Sequence, residues 1–153
     1  MQDLFVQCHV KIVKNERILT TKILFKYKPT NRKVMSNINE ALEELMTLDG
    51  AMGGCIVDYM SGMVLGMTGG GVDLELAAAG NSQVVKAKVA TMKSLDIKGE
   101  IEDMLITLES QLHIIRPTAK HEDLFIYLVL DKAKANLALA RRKVQAVENK
   151  LEV

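Results

Sequence analysis

Gly69-Gly70-Gly71, directly ahead of a helical stretch, is the kind of loop whose backbone N–H groups could cradle a phosphate. No lysine follows at P-loop spacing, and the acid at the helix start, Asp73, would repel an anion. A turn is therefore the expected role. His113 falls in an apolar strand and His121 in a turn, neither with a second ligand at a recognisable metal spacing, so structural or solvated histidines are expected. Cys55, between Gly54 and Ile56, reads as a small core residue with no adjacent base to activate its thiol. Glu100, Glu102 and Asp103 read as a solvated turn, and Arg141-Arg142-Lys143 as a solvated helix face. Met52, Met60, Met63 and Met67 crowd one hairpin as core filling, although methionine surfaces also adapt to partners. No catalytic, cofactor-binding or metal-binding constellation emerges, and a non-enzymatic protein is expected.

The elements that position these residues fit one domain's worth of chain, 153 residues and 16.9 kDa. Cys8 and Cys55 form no disulfide framework, which points to a reducing cytoplasm. No apolar run approaches the roughly 18 residues of a membrane span, and lysines interrupt any signal-peptide layout. Neither direct membrane insertion nor nucleic-acid binding is expected. The net charge of +1 conceals a seam. Residues 1–34 carry +6, which leaves −5 for 35–153, and the first 34 contain no glycine or alanine. Three readings of this leader stand open. "FVQCHVKIV" and "ILTTKILFKY", joined by "KNER", read as a β-hairpin. The scattered lysines could form a basic arm. Alternatively, Met35-Ser36 is the natural start, with "NRKVM" encoded by a purine-rich ribosome-binding site.

From Met35 onward, Asn37 and Glu40 have capping-box-like spacing, which predicts a helix opening after Ser36. Ile38, Ala41, Leu42, Leu45, Met46 and Leu48 form its apolar stripe. Strands are predicted to about Asp58 and over 63–67, joined by a tight turn through Ser61-Gly62. A long helix over about 73–95 carries two apolar lines. One contains Leu74, Ala78, Val85, Val89 and Met92; the other contains Leu76, Ala79, Val84, Ala87, Ala90 and Leu95. A surface helix needs one such face, so two predict burial from two sides, with a second copy as the economical cover. Strands over about 103–108, 112–116 and 123–130 and a helix over 134–151 complete an α+β domain on a five-stranded, mainly antiparallel sheet with flanking helices.

This order resembles the Roadblock/dynein light chain family in its bacterial single-domain form. The residues that carry the resemblance are "GAMGGCIVDYMSGMVLG", "LELAAAGNSQVVKAKVATMKSL", "EIEDMLITLESQLHIIRP" and "DLFIYLVLDKAKANLALARRKV", so it covers Met35 to about Leu151. One departure is the turn from Asp58 to Gly62, a residue longer than the family's commonest form. The resemblance implies a Roadblock/profilin-like fold and a homodimer in which two sheets join edge to edge and two central helices pack. It further implies a scaffold or regulator of a small Ras-like GTPase, in motility, polarity or signalling. The first apolar line, Leu74, Ala78, Val85, Val89 and Met92, is assigned here to the partner copy. Met104, Ile106 and Leu108 are assigned to the joining edge. The alternative from another class is a small-molecule sensor domain of similar fold.

Overall fold

The computed structural model describes the backbone of residues 5–14, 17–26 and 32–153 and the side chains of residues 37–153. The chain divides into two compact units, residues 1–33 and 34–153. In the first, β1 (Phe5–Lys14) pairs antiparallel with β2 (Arg17–Lys26), in register from Phe5↔Lys26 to Lys14↔Arg17. Asn15, Glu16 and Tyr27, which the sequence places in the loop and at the strand end, lie outside the described residues, as does the Cys8 side chain.

Helix α1 (Arg32–Met46) leads into the second unit, which contains β3 (Ala51–Asp58), β4 (Met63–Gly69), α2 (Leu74–Ser94), β5 (Met104–Thr107), β6 (Gln111–Pro117), β7 (Leu124–Asp131) and α3 (Leu137–Lys150). Its five strands lie in the order β4-β3-β7-β6-β5, every neighbouring pair antiparallel. The apolar run of β7 takes the central position because both its faces are covered. Its side chains alternate as the pleat requires. Ile126, Leu128 and Leu130 meet Ile38, Leu42 and Leu45 of α1 and Val144 and Val147 of α3. Phe125, Tyr127 and Val129 meet Leu74, Ala78 and Val85 of α2 on the other face. The domain thus has two cores separated by one sheet.

Two glycines permit close approaches that shape this arrangement. Gly66 stands opposite Ile56 beside a register shift that leaves Leu65 as an extra residue in β4. A Cβ there would sit 2.5 Å from Ile38 Cγ2, so glycine lets α1 lie on the strand. Gly69, at φ +79°, packs so near the Met52 carbonyl that any Cβ would collide with it. The triple glycine is therefore a crossing point of the chain beside β3, and Gly70 N donates to Met52 O at 2.8 Å.

The sequence-based boundary of α1 needs correction. The helix begins at Arg32 and runs through Asn37, which therefore is not its N-cap. Asn37 instead reaches the far end of the domain, where its Nδ2 donates to Lys150 O at 3.3 Å and its Oδ1 accepts from Glu152 N at 2.7 Å. The last carbonyls of a helix lack intrahelical donors, and a helical neighbour supplies one here. Glu44, also on α1, pairs with Lys143 and Lys150 of α3 at 3.4 and 3.0 Å, and the Lys150 hydrogen bond holds its carboxyl below the usual value.

Candidate interaction surface

Helix α2 dominates one face of the domain, and its ends follow from local chemistry. Asp73 is the N-cap, its carboxylate accepting from Leu76 N at 3.0 Å, and Lys93 lies in the last turn, where a cation opposes the helix dipole favourably. Positions 74, 78, 82 and 85 point into the sheet, where Leu74, Ala78, Ser82 and Val85 are buried. Ser82 is tolerated there because its hydroxyl donates to Ala78 O at 2.7 Å.

Leu74, Ala78 and Val85 are therefore already covered by the protomer's own sheet. Their assignment to a partner copy is revised on that ground. Val89 is half-buried at the margin of the same core, while Met92 lines a shallow apolar cleft of about 220 Å³ with Ile97 and Ile101. Met104 and Ile106 pack against the α2 core from β5, and Leu108, just past the strand, is exposed. Strand β5 is an edge of the sheet, as is β4.

The other apolar line is the one left outside. Leu76 is 71% exposed, Val84 40% and Leu95 64%, with Ala79, Gly80, Ala87 and Ala90 between them. Thr91 and Ser94 share this face, but their hydroxyls donate back to Ala87 O and Ala90 O at 2.8 and 3.0 Å. Gln83 is the polar side chain that the strip offers outward, judged by its helical spacing from Leu76, Ala87 and Ala90. The helix's lysines flank it, and Lys86 turns aside to donate to Met60 O at 3.1 Å. The result is a flat face of small and aliphatic residues with no charge.

At one end of the sheet, a cleft of about 280 Å³ has Glu100, Glu102 and Glu122 on its walls and Arg116 and Glu148 in its lining. Arg116 Nε and Glu148 Oε2 form a close ion pair, and Glu148 Oε1 accepts from Ala119 N at 2.8 Å. Asp103 is engaged separately, with Arg141 at 2.8 Å. The hairpin between β3 and β4 turns on Asp58, whose Oδ1 accepts from Met60 N and Ser61 N at 2.9 and 3.2 Å. Met60, Met63 and Met67 are exposed there rather than filling the core, so three of the four hairpin methionines form surface. Cys55 is fully buried, and burial pushes its thiol up to about 12, which makes it inert as a nucleophile at neutral pH. Arg116–Glu148 has no local signature in the sequence, because its partners lie 32 residues apart. Among the described residues, no helix is long and apolar enough to cross a membrane, and no group of His, Cys, Asp and Glu is placed to hold a metal ion.

A scan against protein-family models finds no match, and a search of curated proteins finds none either. Solved structures do match. MglB of Myxococcus xanthus superposes with a TM-score of 0.69 at 16% identity, over 84% of this chain and 91% of that one. The gliding protein MglB of Thermus thermophilus gives 0.68 at 19% identity, over 82% and 95%. A Roadblock/LC7 domain of Streptomyces avermitilis gives 0.61 at 10% identity, over 74% and 90%. These likenesses agree with the two-core, five-stranded arrangement above, and the chain therefore has the Roadblock fold.

Proposed function

We propose that this chain is a cytoplasmic, non-enzymatic, homodimeric interaction module that regulates or scaffolds a small Ras-like GTPase. The observation that carries the reading is the uncharged outer face of α2, with Leu76, Val84 and Leu95 exposed. The outer face of a monomer's surface helix is ordinarily charged, whereas a continuous apolar face marks a site that a partner covers. A second copy is the economical occupant, because a two-fold axis sets the same face against itself. The small residues Gly80 and Ala87 would then admit the partner's helix closely. Edge strand β5, whose Met104 and Ile106 lie beneath α2, supports a join between two sheets beside that helix contact, with Leu108 at its border. The name of the Thermus relative, a gliding protein, supports placing the GTPase partner in motility or polarity.

Light scattering on the purified chain tests the reading, alone and with nucleotide-loaded small GTPases from the same genome. A dimeric mass that rises with a loaded GTPase is expected. Val84→Glu should weaken self-association by about 3 kcal/mol, more than a hundredfold, by burying an unpaired carboxylate in the contact. A monomeric parent chain would overturn the dimer. A dimer indifferent to every GTPase would overturn the regulator.

A further inference from the structure

The β5 edge of the sheet comes apart at one end. Strand β5 pairs with β6 from Met104↔Ile115 to Thr107↔Leu112, whereas β6 runs on through Arg116 and Pro117, paired there with β7 alone. The chain ahead of Met104 has therefore left the ladder, and it turns at Gly99, φ +108°. Glu100 and Ile101 then form a partition one backbone thick, because both residues line a cleft on either side. The cleft toward α2, of about 220 Å³, is apolar: Val89, Met92, Ile97 and Ile101 line it, and Ile97 is 50% exposed. The cleft toward β6, of about 280 Å³, is acidic. Glu100, Glu102, Glu122 and Glu148 line it against the single cation Arg116, which leaves a formal charge of −3. Arg116 is already engaged by Glu148, and Glu100, Glu102 and Glu122 have no cationic partner among the described residues.

An extended backbone occupies about 5 Å in width, and its side chains two residues apart stand about 7 Å apart on one side. An extended segment crossing the partition therefore lowers one side chain into each cleft. We infer that the paired clefts are one docking site, for an extended segment of a partner protein that carries an aliphatic side chain and, two residues away, an arginine or lysine. Charge complementarity selects this occupant. The acidic cleft repels a segment that carries carboxylates, and a wholly apolar segment leaves its surplus of charge unanswered. The direction of the segment is set as well. Lys93 lines the apolar cleft and not the acidic one, so a reversed segment would bring its cation against Lys93.

The two halves of the site contribute differently. Withdrawing a leucine side chain from water is worth about tenfold or more in affinity. An ion pair at an exposed rim is worth about threefold, and salt screens it further. The aliphatic anchor therefore supplies most of the affinity, while the carboxylates choose among segments. Leu76 and Val84, on the outer strip of α2, line neither cleft. The site is complete within one protomer and does not rest on the dimer or on the GTPase reading.

Heteronuclear NMR on the whole isotope-labelled chain tests the site, with the end-capped peptide Ser-Leu-Thr-Arg-Ser as the probe. Saturable shifts are expected at the amides of Ile97, Glu100, Glu102 and Glu122. The same peptide with glycine for leucine, or with glutamate for arginine, should bind about tenfold more weakly. Glu100→Lys combined with Glu122→Lys, both at exposed positions, should reverse the preference between the arginine and glutamate peptides and keep the requirement for leucine. Absence of saturable shifts at these amides would overturn the site. Equal binding of the arginine and glutamate peptides would overturn the assigned occupant. Shifts of the same amides on concentrating the chain alone would assign the clefts to a second copy and overturn it too. Light scattering reads the α2 contact separately, so each of these results leaves the dimer reading to its own test.

Discussion

Arg116 and Glu148 show how much of this fold depends on contacts between distant residues. The pair is nearly buried, at 13% and 6% side-chain exposure, and Glu148 also receives the Ala119 N–H. Two charges withdrawn from water gain little over an apolar pair, but removing one strands the other. Arg116→Met is therefore expected to cost about 3 kcal/mol in urea unfolding. The double variant Arg116→Met with Glu148→Gln should recover most of it, because the amide oxygen still accepts from Ala119 N without a charge. A double variant no more stable than the single would show that the ion pair itself supplies net stability. Asn37 teaches the same lesson from the other side. Its type and spacing to Glu40 read as a cap, because a cap is what asparagine does locally; its actual partners, Lys150 and Glu152, lie 113 and 115 residues away. Periodicity cannot register a bond of that span. Asp58 and Gly62, by contrast, were legible, because the turn they build is closed within five residues: Gly62 N donates to Asp58 O at 2.7 Å.

At the scale of the element, the strands and α2 follow closely from apolar period and turn chemistry, and β7 takes the centre because its sequence is apolar on both faces. Which face of α2 meets the sheet was not legible. Both lines mix aliphatic residues with alanine, and the sheet-facing one even contains Ser82, whose burial depends on a hydrogen bond back to Ala78. The decision belongs to the connection: Asp73 caps the helix in a rotation that turns Leu74 inward. Two glycines separate the consequences. Gly66→Ala would press on Ile38 and should cost about 1–3 kcal/mol in chemical unfolding. Gly80 lies in mid-helix with open space where its Cβ would be, so Gly80→Ala should stabilise the protomer by about 1 kcal/mol. Gly80→Leu should leave the protomer folded yet obstruct the approach of a second helix, lowering the light-scattering mass. An unchanged mass for Gly80→Leu would place the self-contact elsewhere than on the outer strip.

For the whole molecule, the question is which part of the chain the sheet domain needs. The seam in charge and composition at residue 34 coincides within one residue with the division into two compact units, 1–33 and 34–153. Helix α1 runs across that seam from Arg32. A chain starting at Met35 would shorten α1 by three residues. All five strands of the larger sheet, and the Asn37 and Glu44 ties between α1 and α3, lie within 35–153. The shortened chain is expected to melt cooperatively near the temperature of the full chain, with α2 and β5 still available for self-association and the same number of subunits by light scattering. A large fall in melting temperature would make the β1–β2 hairpin a stabilising part of the domain. An unchanged melting temperature with a lost dimer would instead make the first 34 residues part of the contact between copies.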